Sequence, residues 1–365
     1  MSELFNAITF PGTEDIVCQE IIDVSAGLLS HNMLTTAKGQ VSWQGNPADV
    51  NKMIPSLLTV LRVMRVISSF TAVSFPEFER KTSQIPWAQI LSGLKEPGSG
   101  IKIRARSFKS KLYHTSAITE RLERIISTAT ERRFILDNNL AETPQTLIEA
   151  AFIQNQCTIS ISVSSADLGR RGYRLETAKA PLQENLAAVM IRSSGWDGQS
   201  PCIDPFCGSG TIPIEAALFS RQQGHLPTAI MGFDRDEGAC RAAQHNLDRA
   251  KSLFNLPGSI CIKHSPVSRL PENWTEDGCT GHIITNPPYG KRIQSRHDLR
   301  NLYARFGSIL RNNFAGWTVT TLCPAGKDGE ILLGQTGLNF ITICSFSNGG
   351  LPVSIRRAQV DAEAL

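Results

Sequence analysis

The second half of the chain alternates apolar strand segments with amphipathic helix segments, and this alternation constrains the fold more than any other feature. The predicted strands read PCIDPF, AIMGFD, SICIKH and HIITNPP, and helices are predicted through 215–221 and 238–254 between them. A helix near 299–314, a strand at 318–323 and a hairpin, ITICSF-SNGG-LPVSI, follow. This order is typical of an α/β fold built on a doubly wound parallel sheet.

The first half of the chain is predicted to be a separate α+β region. Strands are expected over 6–10 and 39–43, with a helix over about 13–28. A second helix, leading into a strand over 66–71, is predicted from one apolar side formed by Leu57, Leu58, Leu61 and Met64. A length of 365 residues, of which 41% are hydrophobic, exceeds one ordinary core and predicts two or three packed domains.

Composition and cysteine spacing exclude several classes of protein. The nine cysteines are scattered, without the close pairs that a zinc ribbon or a redox motif requires, so no metal is expected and the thiols should be free. The N-terminal residues have no basic segment before an apolar one, and no apolar run reaches the length of a membrane span. The chain is therefore expected to be a soluble cytoplasmic protein without a membrane partner.

Positively charged residues accumulate between residues 95 and 133. The predicted strand IKIRARS alternates small apolar residues with cations, so a period of two places the cations on one face. On this strand and just after it, the cations are Lys102, Arg104, Arg106, Lys109 and Lys111. This surface is predicted to follow RNA phosphates. Alternatively, it is a solvated face, because Glu120, Glu123 and Glu131 of the next predicted helix could pair with arginines of the region.

A glycine-containing basic segment, SADLGRRGYRLETAKAP, follows a predicted strand over 157–164. It is predicted to be a linker rather than part of a core. Pro181 is expected in the first turn of the next helix, because proline at that position sacrifices no hydrogen bond.

The segment IDPFCGSGT, residues 203–211, ends a predicted strand and begins a helix, which is where ligands bind in α/β sheets. Gly208 and Gly210 allow a sharp turn and close backbone approach, and the Asp204 carboxylate suits an amino group. A dinucleotide fingerprint would need a glycine where Pro213 stands, and a phosphate-binding loop would need Gly-Lys-Ser/Thr. Both are excluded. The alternative is a tight turn that binds nothing.

The next predicted strand ends in GFDRD, which places Asp234 beside that turn. A carboxylate there suits the two ribose hydroxyls of an adenosine-containing cofactor. Asp236 is predicted to cap the following helix instead.

The segment ITNPPYGKRI runs from a predicted apolar strand into Asn286, Pro287, Pro288 and Tyr289. Consecutive prolines fix the backbone and leave outward-pointing carbonyls. The Asn286 side-chain oxygen and the Pro287 carbonyl could accept both protons of a conjugated exocyclic amine and aim its lone pair at a methyl donor. Tyr289 could stack on the target base once that base has left its nucleic-acid helix or loop. The alternative is a proline-stiffened loop without catalysis.

Together with GRRGYRLETAKAPLQENLAA, the motifs DPFCGSGT and NPPYG make the whole chain resemble the THUMP-domain RNA guanine-N2 methyltransferases, a group that modifies bacterial 23S ribosomal RNA and has close relatives that act on tRNA. The resemblance implies an N-terminal ferredoxin-like unit (1–65), a THUMP RNA-binding domain (66–165) and a class I methyltransferase domain (166–365). It also implies S-adenosyl-L-methionine as cofactor and RNA as partner.

The resemblance assigns a cofactor role to Asp204, Cys207, Gly208, Ser209, Gly210, Thr211, Asp234 and Ser265. Within this set it makes Asp204, Gly208 and Gly210 the contacts of the methionine part, and it makes Asn286 to Tyr289 the catalytic, amine-binding turn. Ser265 stands where the family usually has an acidic residue near the adenine, and Lys291 stands where it often has glutamate. Both are departures.

The function that the resemblance implies is methyl transfer from S-adenosylmethionine to N2 of a guanine in 23S rRNA. Three alternatives stay open: a tRNA guanine-N2 methyltransferase, a DNA adenine-N6 methylase, and a non-catalytic RNA-binding protein. The DNA enzyme would share the Asn-Pro-Pro-Tyr chemistry, because that amine is also conjugated.

Overall fold

The computed structural model describes residues 2–92, 100–130, 145–163, 167–176, 182–227, 229–256, 259–270, 280–289 and 296–361. The chain divides into two compact units. Unit 1 comprises Met1–Ile8, Ser30–Pro55 and Val60–Leu168. Unit 2 comprises Thr9–Leu29, Ser56–Thr59 and Gly169–Leu365, so that helix α1 (Glu14–Val24) belongs to unit 2.

Unit 1 is a seven-stranded sheet with helices packed against it, in the order β2-β3-β1-β4-β7-β6-β5. Among the described strands of unit 1, only the pair β5–β6 is parallel. The elements are β1 (Glu3–Ile8), β2 (Leu34–Ala37), β3 (Gln40–Gly45), α2 (Pro47–Met53), β4 (Arg62–Thr71), α3 (Phe75–Ser83), α4 (Trp87–Ser92), β5 (Gly100–Phe108), α5 (Thr115–Thr130), β6 (Gln145–Ile153) and β7 (Gln156–Ser162). Apolar residues of α3, α4 and α5 pack with residues of β5, β6 and β7 in one buried cluster.

The prediction of a helix that carries Leu57, Leu58, Leu61 and Met64 is wrong. A short 3-10 helix, Ile54–Ser56, ends this region's helical backbone, and Met64 lies inside β4. The amides of Leu58 and Thr59 donate to the buried Glu20 carboxylate, each at 2.9 Å, rather than to helical carbonyls. These apolar residues therefore belong to a buried connection and to the strand β4 that follows it, where β-branched residues are favoured.

Unit 2 is a second seven-stranded sheet, in the order β10-β9-β8-β11-β12-β14-β13. Its further elements are α6 (Glu184–Ser194), β8 (Cys202–Asp204), α7 (Thr211–Gln222), β9 (Ile230–Asp234), α8 (Glu237–Phe254), β10 (Ile260–His264), β11 (His282–Thr285), α9 (Arg296–Asn313), β12 (Thr318–Pro324), α10 (Lys327–Gly334), β13 (Ile341–Asn348) and β14 (Leu351–Gln359). Strands β8 to β12 are parallel, and β14 and β13 add an antiparallel hairpin. The predicted strand and helix alternation is confirmed, whereas α10 was not predicted.

The prediction that the GRRGYR segment is only a linker is wrong. Tyr173 is fully buried and its hydroxyl donates to the Glu215 carboxylate at 3.0 Å. Arg171 donates to both oxygens of the same carboxylate, at 2.8 and 2.9 Å. Burial of Glu215 raises the pKa of its carboxyl group, and Arg171 opposes that rise. The segment is part of the core of unit 2 because its charges satisfy a buried acid on α7. Pro181 lies outside the described residues.

Within the ranges given above, no helix has the length and apolar character needed to cross a membrane. The same residues contain no group of three or more His, Cys, Asp or Glu side chains placed to hold a metal ion.

Candidate functional site

Four predicted site residues meet at one edge of the unit 2 sheet. Asp204 ends β8 and Asp234 ends β9, while Ser265 directly follows β10 and Asn286 directly follows β11. These four strands are neighbours and parallel, so their carboxyl ends lie at the same edge. The chain order reverses between β8 and β11, which is the position where open α/β sheets bind ligands.

Asp204 is a buried carboxyl group with only one of its oxygens in use. The Thr285 hydroxyl donates to Oδ1 at 2.6 Å, and the Phe206 amide donates to the same oxygen at 3.0 Å. Oδ2 has no hydrogen-bond partner among the described residues. Burial raises the pKa of Asp204 to about 7, against the lowering effect of these two donors. The carboxyl group is thus placed to respond to a cation that approaches Oδ2.

The turn after β8 is tightly built. The Cys207 amide donates to the Phe233 carbonyl of β9, and the Gly210 amide donates to the Cys207 carbonyl, each at 2.8 Å. Gly208 and Gly210 have φ values of +52° and +82°, which side chains rarely tolerate. A Cβ on Gly210 would lie 3.0 Å from the Cβ of Ala243, whereas one on Gly208 would meet nothing within 4 Å. Gly210 therefore allows α8 to approach, and Gly208 leaves open space beside the backbone.

The remaining residues of the turn are buried. Ser209 and Thr211 are each 4% exposed, and Thr211 begins α7. The Cys207 side chain is also buried, which raises the pKa of its thiol well above the usual value. Cys207 is therefore a packed neutral thiol, and the turn contributes mainly backbone groups to the open space.

Asp234 connects two turns through its carboxylate. Its Oδ2 accepts the Gly208 amide and its Oδ1 accepts the Asp236 amide, each at 2.9 Å. The predicted helix cap is confirmed, because the Asp236 side chain accepts the Ala239 amide at the start of α8. Each Asp234 oxygen retains a second lone pair, so the carboxylate can hold the turn and a ligand hydroxyl together.

Ser265 lies directly beside Asp234. Its amide donates to the Asp234 carbonyl at 2.9 Å, and its hydroxyl contacts the Arg269 carbonyl at 3.2 Å. Its hydroxyl is thus used within its own turn.

Asn286 presents a buried acceptor. Its Oδ1 atom is inaccessible to solvent and receives no hydrogen bond from any described residue. Such an atom is costly, since a buried polar group normally finds a partner. Pro287 is buried, and the Pro288 carbonyl lies 3.4 Å from the hydroxyl of the buried Tyr303 on α9. Tyr289, which completes the turn, is half-buried. The proline turn therefore holds a free acceptor at the strand end.

Four residues that support this site were not predicted. They are Arg174, Asn246, Thr285 and Tyr303. Asn246 lies on the apolar stripe of α8, between Ala243 and Ala250, and a fully buried amide in such a stripe is a detectable signal. The others have no comparable local signal, because their partners are distant in sequence.

The basic strand β5 belongs to unit 1 and is not part of this cluster. Its alternation is confirmed, because Ile101 and Ile103 are buried and the alternating cations Lys102, Arg104 and Arg106 are exposed. Arg104 and Arg106 donate through Nε to the buried Glu149 of β6, at 2.8 and 3.0 Å. Lys102, Lys109 and Lys111 have no acidic partner in the described part of the chain.

The acids proposed to neutralise the basic helix are not the ones that do so. Arg121 and Arg124 of α5 both pair with Glu79 of α3, at 3.0 and 2.9 Å, rather than with Glu120 or Glu123. Glu131 lies outside the described residues. These two arginines are therefore paired, but their partner comes from α3 rather than from their own helix.

Comparison with known proteins agrees with this geometry. The family model UPF0020, described as an RMKL-like methyltransferase domain, matches residues 171–331. A putative RNA methyltransferase of Synechocystis sp. is 25% identical over 98% of this chain and 98% of its own. The ribosomal RNA large subunit methyltransferase K/L of Syntrophotalea carbinolica is 27% identical over 86% of this chain and 48% of its own. The chain thus spans about half the length of that relative.

A solved structure has the same fold over the whole chain. The putative methyltransferase SMU.472, crystallised as a complex with SAH, gives a TM-score of 0.74 at 22% identity, covering 100% of this chain and 99% of its own. The match to the RMKL-like methyltransferase family model is confined to residues 171–331, whereas the likeness in fold extends over the whole chain.

Proposed function

We propose that this chain is an S-adenosylmethionine-dependent RNA methyltransferase that modifies N2 of a guanine in 23S ribosomal RNA. The observation that carries the proposal is the buried Oδ1 of Asn286, which has no partner among the described residues and is held by a proline turn at the switch point of the sheet. An acceptor that forgoes a hydrogen bond within its own protein is suited to receive one from a substrate.

The chemistry follows from what an exocyclic amine lacks. Its lone pair is delocalised into the ring, so the nitrogen is a weak nucleophile unless both N–H bonds are oriented. Asn286 Oδ1 and the Pro287 carbonyl would accept these two protons and orient the lone pair out of the base plane. Tyr289 would stack on the base, and Tyr303 would steady the turn through the Pro288 carbonyl. Orientation by fixed acceptors would supply most of the rate. As the N–C bond forms, the S–C bond would break and S-adenosylhomocysteine would leave; the nitrogen, then positively charged and acidic, would lose one proton to water, so no strong base is required.

The residues around the glycine turn fit S-adenosylmethionine. The free Oδ2 of Asp204 suits the cationic amino group of the methionine part, and the open space beside Gly208 admits a ligand next to the backbone. Cys207, Ser209, Gly210 and Thr211 would form the rest of this wall. Asp234 would hold the ribose hydroxyls, and Ser265 would lie near the adenine. When bound, the cofactor supplies an electrophilic methyl group on a sulfonium.

Unit 1 is proposed to bind the RNA. We assign a ferredoxin-like unit to 1–65, a THUMP domain to 66–165 and the class I methyltransferase domain to 166–365. The exposed cations of unit 1, Lys102, Arg104, Arg106, Lys109 and Lys111, support its role in RNA binding. Phosphate contacts of this kind position an RNA without reading its sequence. A ribosomal RNA substrate would place the enzyme in the cytoplasm.

The names of two relatives support the substrate class. The Syntrophotalea protein is named as a ribosomal RNA large subunit methyltransferase, and the Synechocystis protein is named as a putative RNA methyltransferase. The second is the stronger guide to the whole chain, because the match covers 98% of both proteins.

The test is transfer of labelled methyl from S-adenosylmethionine to nucleic acids purified from a strain that lacks the gene. The purified protein should label large-subunit rRNA and leave small-subunit rRNA, tRNA and duplex DNA unlabelled. The same RNA from the parent strain, already modified, is the matched control and should accept little label. Label confined to tRNA or DNA would give the substrate to one of the alternatives, and no transfer to any of them would refute the enzymatic function.

A further inference from the structure

The carbonyl of Ser209, in the middle of the glycine turn, is held by a side chain from α8. Asn246 Nδ2 donates to this carbonyl at 3.1 Å and to the Glu176 carbonyl at 3.0 Å. Its Oδ1 accepts the Leu175 amide at 3.0 Å and the Glu176 amide at 3.3 Å. Asn246 is fully buried. One amide group therefore uses both donors and accepts two bonds, and it joins the turn to the 175–176 backbone.

The same backbone segment holds the turn at a second point. Arg174 donates to the Thr211 hydroxyl at 2.9 Å and also to the Leu182 carbonyl. Ala243, also on α8, packs against Gly210, where an added Cβ would lie 3.0 Å from the Ala243 Cβ. The turn is thus held at Ser209, Gly210 and Thr211 by Asn246, Ala243 and Arg174.

We propose that Asn246 is a positioning residue that sets the shape of the glycine turn and thereby the affinity for S-adenosylmethionine. The inference rests on the proposed function, since it assigns the turn to that cofactor. Asn246 would not touch the cofactor, because its four hydrogen bonds are all made to protein backbone. Its effect follows from the need to hold backbone groups in a strained turn before the ligand arrives.

The discriminating variant is Asn246→Asp, which keeps the shape and replaces two N–H donors with a carboxylate oxygen. The ionised form would face the Ser209 and Glu176 carbonyls with a negative charge and push the turn out of place. The protonated form would restore one donor, because its hydroxyl can reach one of these carbonyls while the other oxygen still accepts both amides. Burial raises the pKa of such a carboxyl group, so protonation should occur within a measurable range.

Other ionisable groups lie around Asn246, and the variant and the wild-type protein both contain them. Glu176 pairs with His245 at 2.7 Å, and Arg249 donates to the Gly172 carbonyl. Arg174 and Asp234 contact the turn itself. For this reason the measured quantity is the ratio of variant to wild-type dissociation constants for S-adenosylmethionine at each pH, which cancels effects that the two proteins share.

The experiment is calorimetric titration of the full chain with S-adenosylmethionine at pH 8 and pH 6. The ratio for Asn246→Asp should be about 10 or more at pH 8, which corresponds to about 1.4 kcal/mol, and should fall below about 3 at pH 6. Asn246→Ala should weaken binding equally at both pH values, since it has no group to protonate. Gln244→Glu makes the same chemical change at a half-buried position of α8, where the side chain donates to Asp248 rather than to the turn, and should give a ratio near 1.

Circular dichroism and thermal unfolding at both pH values establish which variants are folded. A ratio near 1 at pH 8 for folded Asn246→Asp and Asn246→Ala would overturn the inference. So would a raised ratio for Asn246→Asp that does not change with pH. If the wild-type protein itself fails to bind S-adenosylmethionine, the proposed function fails, and that outcome is distinct from the others.

Discussion

The strand ends of unit 2 and the basic strand β5 of unit 1 were both predicted to bind ligands, yet they differ in which atoms remain available. At the strand ends, Asn286 Oδ1 and Asp204 Oδ2 have no partner among the described residues. On β5, Arg104 and Arg106 already share the buried Glu149. A motif at the carboxyl ends of parallel strands therefore predicts atoms that are available for hydrogen bonds to a ligand. A run of charged residues does not, because Glu149, which pairs with Arg104 and Arg106, lies 43 to 45 residues further along the chain.

Asn286→Ala tests the catalytic side of this comparison and should have the largest effect. Loss of one of two fixed acceptors should reduce single-turnover methyl transfer by on the order of a hundredfold or more, with the affinity for S-adenosylmethionine unchanged. Rapid-quench transfer of labelled methyl gives the rate, and calorimetry gives the affinity. Asn339→Ala, at an exposed position of unit 2, is the matched control and should transfer at the wild-type rate. A rate within threefold of wild type for Asn286→Ala would refute the role of the acceptor.

Asp204→Asn tests whether the free Oδ2 binds a cation. Because burial raises the pKa of Asp204 to about 7, the carboxyl group is ionised above that pH and protonated below it. The wild-type affinity for S-adenosylmethionine should therefore weaken as pH falls through 7. The variant should bind about tenfold more weakly at pH 8 and should lose this pH dependence. Calorimetry between pH 6 and pH 8 gives both values. A variant that keeps the wild-type pH profile would place the cation elsewhere.

The RNA side of the comparison predicts that the lysines matter more than the arginines. Lys102→Gln with Lys109→Gln and Lys111→Gln should reduce the slope of log binding constant against log salt by about 2, since each lost phosphate contact removes about 0.7 to 0.9. The triple variant Arg104→Gln, Arg106→Gln, Glu149→Gln removes both arginines together with the acid that pairs with them. It should reduce the slope by less than about 1, because the net loss is one positive charge. Filter binding to rRNA at several salt concentrations gives the slopes. A larger loss for the arginine set would reverse the assignment.

Tyr303→Phe should have the smallest effect. It removes a hydroxyl that lies 3.4 Å from the Pro288 carbonyl, a long contact, and leaves the buried ring in place. Single-turnover transfer should slow by about two- to fivefold, in line with the loss of one weak hydrogen bond. A decrease as large as that of Asn286→Ala would mean that Tyr303 acts on the substrate directly.

The parts of the fold that follow local patterns were predictable from the sequence. The strands β8 to β12 and the turns that follow them could be predicted because apolar runs and glycine or proline punctuation are local signals. The helix near Leu57 and Leu58 was wrongly predicted, because those amides bind Glu20 some 38 residues away. The linker prediction was wrong for the same reason, since Glu215, the buried acid to which Arg171 donates, lies 44 residues later on α7. Periodicity carries no information about such partners.

The central claim is that the Asn286 turn presents an exocyclic guanine amine for methylation, and the nucleoside product tests it most directly. Ribosomal RNA from the deletion strain would be methylated in vitro by the purified chain, digested to nucleosides and analysed by mass spectrometry against labelled standards. The account predicts that N2-methylguanosine appears with the wild-type protein and is nearly absent with Asn286→Ala. N6-methyladenosine as the product, or equal N2-methylguanosine from both proteins, would contradict it.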